Sequence, residues 1–131
     1  MTAAEEKLDA QVERAINKIR DWLTGPDRAH LRNKWIYAAP FQIYLRKALH
    51  LINGERVTCL DLANITITER QRGKGLFKKL LVRLIEINPY KYIFVEGVMN
   101  KRIEAHLLRR GDFVKINHGD YPDDFYGPVN K

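Results

Sequence analysis

The feature that most constrains the fold is a glycine-rich turn, Arg72-Gly73-Lys74-Gly75, which lies between two segments of different periodicity. Before the turn, apolar and polar residues alternate over residues 56–68, and this alternation predicts a β-strand. After the turn, apolar residues recur at every third or fourth position over residues 73–87, which predicts a helix. A strand that passes into a helix through a tight turn is a building unit of α/β sheets.

Signals on both sides extend this unit. Asn53-Gly54 predicts a tight hairpin that pairs residues 41–52 with residues 56–68. The continuous apolar run Tyr92-Ile93-Phe94-Val95 predicts a strand that is buried on both faces. A helix is predicted over residues 101–110, with Asn100 as its N-cap and Gly111 as its terminating residue. Residues 113–118 and a short segment at 125–126 are predicted to complete a mixed sheet.

The N-terminal part of the chain predicts a helix. Thr2-Ala3-Ala4-Glu5 is a capping-box pattern, and apolar residues follow on one stripe as far as Leu23. Gly25-Pro26 ends this helix, and Asp27 is predicted to cap a short helical piece that reaches Leu31. We therefore expect one domain over residues 1–131, with a helical segment at 1–33 and a sheet–helix core at 41–128.

Composition restricts the class of protein. A chain of 131 residues, 45% of them apolar, fits one folded domain and excludes a disordered class. The net charge of +7 favours an anionic partner but does not choose among cofactor, nucleic acid and membrane surface. Cys59 is the one cysteine, so no internal disulfide can form and a cytoplasmic location is expected. No apolar run approaches membrane-spanning length, so no membrane partner is expected.

The glycine-rich turn predicts a pyrophosphate site. Glycines allow close approach of the backbone to a ligand, and the start of a helix offers unpaired N–H groups and the positive end of a dipole. Basic side chains surround the turn: Arg70, Arg72, Lys74, Lys78 and Lys79. The glycine spacing matches neither the Walker phosphate loop nor the dinucleotide-binding fingerprint.

Two carboxylates are candidates for acid–base chemistry. Strict alternation predicts that one face of the strand at residues 56–68 carries Val57, Cys59, Asp61, Ala63, Ile65 and Ile67, with Asp61 the ionisable member. Glu96 follows the next apolar run, and both carboxylates reach a central cleft if the strands are neighbours. Burial or mutual repulsion would then raise their pKa values. The alternative is that each acid is structural and pairs with Arg46 or Arg102.

Three motifs resemble the GNAT acetyltransferase superfamily. Arg72-Gly73-Lys74-Gly75 is similar to its acyl-CoA-binding motif, although Phe77 stands where Gly or Ala is usual, and we expect Phe77 to point into the core. Val95-Glu96-Gly97-Val98-Met99-Asn100 is similar to the family's next strand and terminal Asn, and Leu107-Leu108-Arg109-Arg110-Gly111-Asp112-Phe113 to its Gly-Phe ending. The resemblance covers residues 56–118 and is similar in form to small bacteriophage members. It implies a GNAT-like fold, trimmed at the N-terminus, with its first strand absent.

The resemblance also implies site residues. In the family, the acyl-pantetheine arm lies between two parallel strands that splay apart, and an acceptor amine attacks the thioester. The implied contacts to acetyl-CoA are Ile65, Thr66, Ile67, Arg70, Arg72, Gly73, Lys74, Gly75, Leu76, Phe77 and Asn100. Asp61 and Glu96 are the implied bases. The family's usual general-acid Tyr is replaced here by Leu107 or Leu108, so Tyr126, Tyr121 or His106 would have to substitute.

The resemblance implies an N-acetyltransferase that uses acetyl-CoA to modify an amine of a protein or small molecule. The alternative is a weak or inactive GNAT-fold module that binds and blocks a partner protein. Nucleic acid is not expected as a partner, because the sequence shows no sheet with interleaved aromatic and basic residues. The implied acceptor pocket is formed by residues 27–40 and 118–127, where Asp120, Asp123 and Asp124 could attract a cation.

Overall fold

The computed structural model describes residues 2–25 and 32–130, which form three α-helices and six β-strands. In chain order they are α1 (Ala3–Thr24), β1 (Asn33–Ala38), β2 (Phe41–Ile52), β3 (Glu55–Ile67), α2 (Leu76–Ile87), β4 (Tyr92–Val98), α3 (Lys101–Arg110), β5 (Val114–His118) and β6 (Tyr121–Gly127). The predicted capping box is confirmed at α1, where the Thr2 hydroxyl accepts from the Glu5 amide at 3.1 Å. The helical piece predicted from Asp27 lies outside the described residues.

The strands form one mixed sheet in the order β1-β2-β3-β4-β6-β5. The β2–β3 pair is the hairpin predicted from Asn53-Gly54, and Gly54 has a φ of 80° that suits glycine. The β3–β4 pair is parallel, and the other neighbouring pairs are antiparallel. The predicted mixed α/β sheet is therefore confirmed.

All three helices contribute to one hydrophobic cluster on one face of the sheet, which we call the helix face. This cluster joins Ile16 of α1, Leu80 of α2 and Leu107 of α3 to Leu62 and Val95 of the central strands. A second, smaller cluster on the opposite face contains Ile52, Cys59, Tyr92 and Phe94, and no described helix contributes to it. We call this second side of the sheet the open face. None of the described helices is both long and apolar enough to cross a membrane.

A β-bulge overturns the predicted alternation along β3. Tyr44 pairs with Asn64 while Leu45 pairs with Leu62, so Ala63 has no partner on β2. An extra residue in one strand reverses the side to which later side chains point. Asp61 therefore belongs to the open face, whereas Ile65 and Ile67 pack against the cluster on the helix face. The expectation that all six alternating residues share one face is wrong.

Two further boundaries differ from the sequence prediction. Strand β1 was not predicted, yet it pairs with β2 along its whole length, from Asn33↔Arg46 to Ala38↔Phe41. It is an edge strand, and α1 covers carbonyls at that edge: Lys18 Nζ donates to the Tyr37 carbonyl at 2.5 Å. Helix α2 begins at Leu76 and not at Gly73, because Gly73 and Gly75 have positive φ values of 78° and 81°, which a helix does not allow.

Candidate functional site

The parallel strands β3 and β4 part in the middle of the sheet. Their described pairing runs from Cys59↔Tyr92 to Leu62↔Val95, yet β3 continues to Ile67 and β4 to Val98. A register shift between β4 and β6 accompanies the parting, and there the Gly97 amide donates to Asp124 Oδ1 at 2.7 Å. Beyond the parting, the edge of β3 that faces β4 is open to a ligand between the strands.

Strand β3 leads from this gap to the glycine-rich turn and the N-terminus of α2. The N-cap of α2 is Gly75, which makes no side-chain capping hydrogen bond. In contrast, α1 is capped by Thr2, and α3 is capped by Asn100, which accepts from the Arg102 and Ile103 amides at 2.9 and 3.1 Å. The first amides of α2 are therefore left for an external acceptor, and a Cβ added at Gly75 would meet nothing within 4 Å.

The basic residues predicted around the turn divide into two groups. Arg70, Arg72, Lys74 and Lys78 are exposed. Lys79 instead forms an ion pair with Asp9 of α1 at 2.8 Å, so it links two helices. Arg102, which was considered as a partner for a carboxylate, lies over the turn, since a Cβ added at Gly73 would stand 3.0 Å from its Nη1. The turn thus gains a cation that the sequence did not indicate.

A polar cluster formed by Arg46, His50, Asp61 and Glu96 lies on the open face, where β3 and β4 begin to part. The Asp61 carboxylate is fully buried, and its two oxygens lie 2.9 and 2.8 Å from His50 Nε2. The Arg46 guanidinium donates to the Glu96 carboxylate. The expected closeness of Asp61 and Glu96 is therefore present, and of the two partners that were considered, Arg46 pairs with Glu96.

Burial controls the electrostatics of this cluster. Together with the neighbouring Glu96 carboxylate, it raises the pKa of Asp61 from 3.8 to about 8. Burial also lowers the pKa of His50, against the opposing influence of Glu96 and Asp124. The pKa of the Cys59 thiol rises to about 12 through burial and the charge of Asp61. A thiol with so high a pKa is a poor nucleophile. The carboxylates and the imidazole of the cluster are instead suited to proton transfer.

The polar cluster borders a cavity of about 530 Å³. Its lining includes Arg46, His50, Asp61 and Glu96. One ligating atom each of His50, Asp61 and Glu96 lies within 4.8 Å of the others, a set that the sequence did not indicate as metal ligands. A cation here would have to displace the Arg46 guanidinium from Glu96 and break the His50–Asp61 hydrogen bonds. We therefore interpret the set as acid–base groups.

The candidates for a general acid lie apart from one another. Leu107 is fully buried in the core, whereas Leu108 is exposed. Tyr126 lies on the open face, with its ring 5.2 Å from that of Tyr92, and Tyr121 is exposed. His106 packs on the helix face with its ring edge against Phe77, its Nε2 is buried without a hydrogen bond in the described structure, and burial together with Arg110 lowers its pKa.

The remaining predicted cofactor contacts occupy different environments. Thr66 is exposed, whereas Ile65 and Ile67 pack partly on the helix face, so a ligand in the gap would meet the backbone of this segment. Leu76 is buried, and Phe77 is 9% exposed and points into the core as expected. Asn100 uses its side-chain oxygen to cap α3.

Sequence reasoning missed two features of the open face. His50 lies at an alternating position of β2 that carries no motif, and only the register of β2 and β3 brings it to Asp61. Trp35 and Tyr37 of the unpredicted β1 join Tyr44 in an aromatic patch, with the Trp35 ring 6.0 Å from Tyr37 and 4.8 Å from Tyr44. The sheet therefore carries exposed aromatic residues beside Arg46, which no sequence motif indicates.

Solved structures of other proteins are similar to this one. No protein-family model matches the chain, and no curated protein matches it. A mutant of the toxin AtaT, solved with the C-terminus of the antitoxin AtaR and acetyl-CoA, is 15% identical with a TM-score of 0.53, over 67% of this chain and 57% of that chain. A chain of the KacTA–DNA complex is 15% identical with a TM-score of 0.55, over 86% of this chain and 79% of that chain.

These similar structures are GNAT acetyltransferases. This chain spans little more than half of the AtaT chain, 57% of its length, and most of the chain from the KacTA complex. The shared features are the mixed six-stranded sheet and the helices packed on it. The protein therefore has a GNAT-like α/β fold, in which β3, the glycine-rich turn and α2 form the unit predicted from the sequence.

Proposed function

We propose that the protein is an N-acetyltransferase that transfers the acetyl group of acetyl-CoA to an amine of a protein or a small molecule. The observation that carries the proposal is the parting of β3 and β4 next to both an uncapped helix N-terminus and an acid–base cluster. Acetyl-CoA placed in the gap would have its phosphates at the glycine-rich turn. Its thioester would lie near the proton acceptors of the polar cluster.

The turn suits the pyrophosphate of acetyl-CoA. The first amides of α2 lack a capping side chain, and an anion there would also meet the positive end of the helix dipole. Arg72 Nε donates to the Ile67 carbonyl at 2.9 Å, which fixes the side chain between the strand end and the turn. The exposed Arg70, Lys74 and Lys78 add positive charge for the remaining phosphate oxygens.

Asp61, Glu96 and Tyr126 are proposed to take part in the chemistry on the open face. The amine must lose a proton before it attacks the thioester carbonyl, and the cluster offers two carboxylates for that purpose. A thiolate with a pKa near 8.5 leaves without strong assistance, so a leucine at the usual tyrosine position, Leu107 or Leu108, does not prevent transfer. Tyr126 lies on β6, opposite Phe94 in the sheet register.

The cofactor proposal is tested by the thermal shift on adding acetyl-CoA or CoA. The double variant Arg72→Glu/Gly75→Asp should abolish the stabilisation, because it reverses the charge and fills the space above the first amides of α2. A matched control is Arg56→Glu/Gly54→Asp, since Gly54 has a φ of 80°, an equally open Cβ position and an exposed basic neighbour at the far hairpin. Equal loss in both doubles, or no stabilisation of the wild type, would contradict the proposed cofactor site.

Mass spectrometry after incubation with acetyl-CoA and amines or proteins tests the transfer itself. Gain of one acetyl group by an acceptor supports the enzyme. Binding of acetyl-CoA without any acetylated acceptor would instead favour the alternative, a module that binds and blocks a partner protein. That alternative is motivated by the leucines at the usual general-acid position. A relationship to bacteriophage members stays a prediction from the sequence.

A further inference from the structure

His50 connects the buried acid of the polar cluster to the cavity. The side chain of Asp61 is 0% exposed, whereas that of His50 is 22% exposed and lines the cavity. Both oxygens of Asp61 lie within hydrogen-bond distance of the same imidazole nitrogen, Nε2. The imidazole of His50 therefore offers a route for a proton between Asp61 and a molecule in the cavity.

The orientation of the imidazole is fixed on two sides. Its ring stacks on Phe94 with centroids 3.7 Å apart and planes 6° from parallel. The Asp61 carboxylate holds Nε2 in the ring plane, which leaves Nδ1 as the nitrogen that can accept a proton from a substrate. A ring held by both packing and a hydrogen bond is preorganised, so little reorientation is needed during proton transfer.

The other members of the cluster are poorer proton acceptors for a substrate. Asp61 has no exposed surface. One oxygen of Glu96, Oε2, accepts from the Arg46 guanidinium and is therefore less available to a substrate. We infer that His50 is the general base of the acetyl transfer and that Asp61 is a positioning residue beneath it, an inference that rests on the proposed function.

An acceptor ammonium gives one proton to His50 Nδ1, and the freed lone pair on nitrogen forms a bond to the thioester carbonyl carbon. The carbon–sulfur bond then breaks, and the electron pair leaves with the thiolate of CoA. The amine nitrogen releases its second proton, which neutralises the thiolate, and His50 returns its proton to water in the cavity.

Every strand around the imidazole contributes a group that affects its protonation. Arg46 lies on the same strand, Asp61 and Cys59 on β3, and Glu96 on β4. From β6, Asp124 acts on the imidazole and is itself bonded to His118 of β5 at 2.7 Å. An ionised Asp61 accepts the Nε2–H of His50 and leaves Nδ1 free to take a proton, whereas a protonated Asp61 donates to Nε2 and the ring proton then lies on Nδ1. Because burial and Glu96 raise the pKa of Asp61 to about 8, activity should rise with pH to a plateau above about 8.

The test measures CoA release from acetyl-CoA between pH 6 and 9.5, in the wild type and three variants, with glycinamide as the probe amine. His50→Gln should lower the rate by about a hundredfold or more and remove the cluster's contribution to the pH profile. In Asp61→Asn the base is an imidazole with a lowered pKa, so the midpoint should move to lower pH. Glu13→Gln changes an acid of α1 that pairs with Arg83 of α2, away from the open face, and the midpoint should stay where it is.

All four proteins are assayed with the same amine, so the titration of that amine affects their pH profiles equally. Circular dichroism establishes that each variant folds, and titration of ¹⁵N-labelled histidine by NMR reports the protonation of His50 without any turnover. A wild-type rate and profile in His50→Gln, or a lower rate in Asp61→Asn with an unmoved midpoint, would overturn the inference alone. A wild type that releases no CoA contradicts the proposed function, and the inference with it.

Discussion

Replacing Asp61 with Asn tests the electrostatics of the polar cluster through protein stability, without any substrate. The carboxyl is 0% exposed, and burial beside Glu96 raises its pKa from 3.8 to about 8. Unfolding returns this group to water, so between these two pH values the folded state binds more protons than the unfolded state. The contribution of Asp61 to the free energy of unfolding must then fall as the pH rises through this range, and level off above about 8.

The window from pH 6.5 to pH 8 favours the contribution of Asp61. Burial lowers the pKa of His50 from 6.5, so His50 costs stability mainly below this window, where the unfolded state takes up the proton. A difference of one bound proton between the folded and the unfolded state changes the free energy of unfolding by about 1.4 kcal/mol per pH unit. Because the folded carboxyl is half ionised near its pKa of about 8, the wild type should lose about 1.5 kcal/mol across this window through Asp61.

The assay is urea unfolding of the wild type and Asp61→Asn at several pH values in that window. The amide keeps the volume of the carboxyl and can still bond His50, but it does not titrate, so the variant should lack this loss. Asp120→Asn, which changes an exposed acid in the turn before β6, should keep the wild-type slope. Parallel curves for the wild type and Asp61→Asn would refute the reasoning, because they would mean that Asp61 is ionised in the folded protein.

Two further predictions concern packing and are measured by the same urea unfolding. Gly127→Ala should cost about 3 kcal/mol, because its Cβ would stand 2.1 Å from the Asp112 carbonyl oxygen, whereas Gly119→Ala, with open space around it, should cost about 1 kcal/mol. Arg83→Ala should cost about 1 kcal/mol at low ionic strength and less in high salt, because Arg83 bonds Glu13 through two nitrogens at 2.7 and 2.9 Å. A salt-independent loss at Arg83, or equal losses at the two glycines, would contradict these accounts.

The elements that the sequence predicted well are those with local causes. The bounds of α3 follow from the Asn100 cap and from Gly111, whose φ of 79° ends the helix. The β2–β3 hairpin follows from a two-residue turn of Asn53 and Gly54. Strand β1 was missed because the structure sets it mainly by pairing with β2 and by side chains of α1 that cover its edge. Such stabilisation is absent from the local sequence.

The candidate site also has one part with local causes and another part that depends on neighbouring strands. The glycine-rich turn could be predicted, because positive φ at Gly73 and Gly75 and the start of an amphipathic helix are encoded within a few neighbouring residues. Asp61 and Glu96 could be singled out as acids beside apolar runs. Their environments could not be predicted, since His50 and Arg46 reach them only through the register of a neighbouring strand.

The sequence by itself determined the order of the elements other than β1, the hairpin and the turn that leads from β3 into α2. Tertiary structure alone decided which face of β3 carries each side chain, because the unpaired Ala63 reverses the alternation between Asp61 and Ile65. It also decided that Asp61 is buried against His50, and that β3 and β4 part just beyond them. The physical reason is range: glycine dihedrals and caps act within one turn of chain, whereas register and burial depend on strands that are distant in sequence.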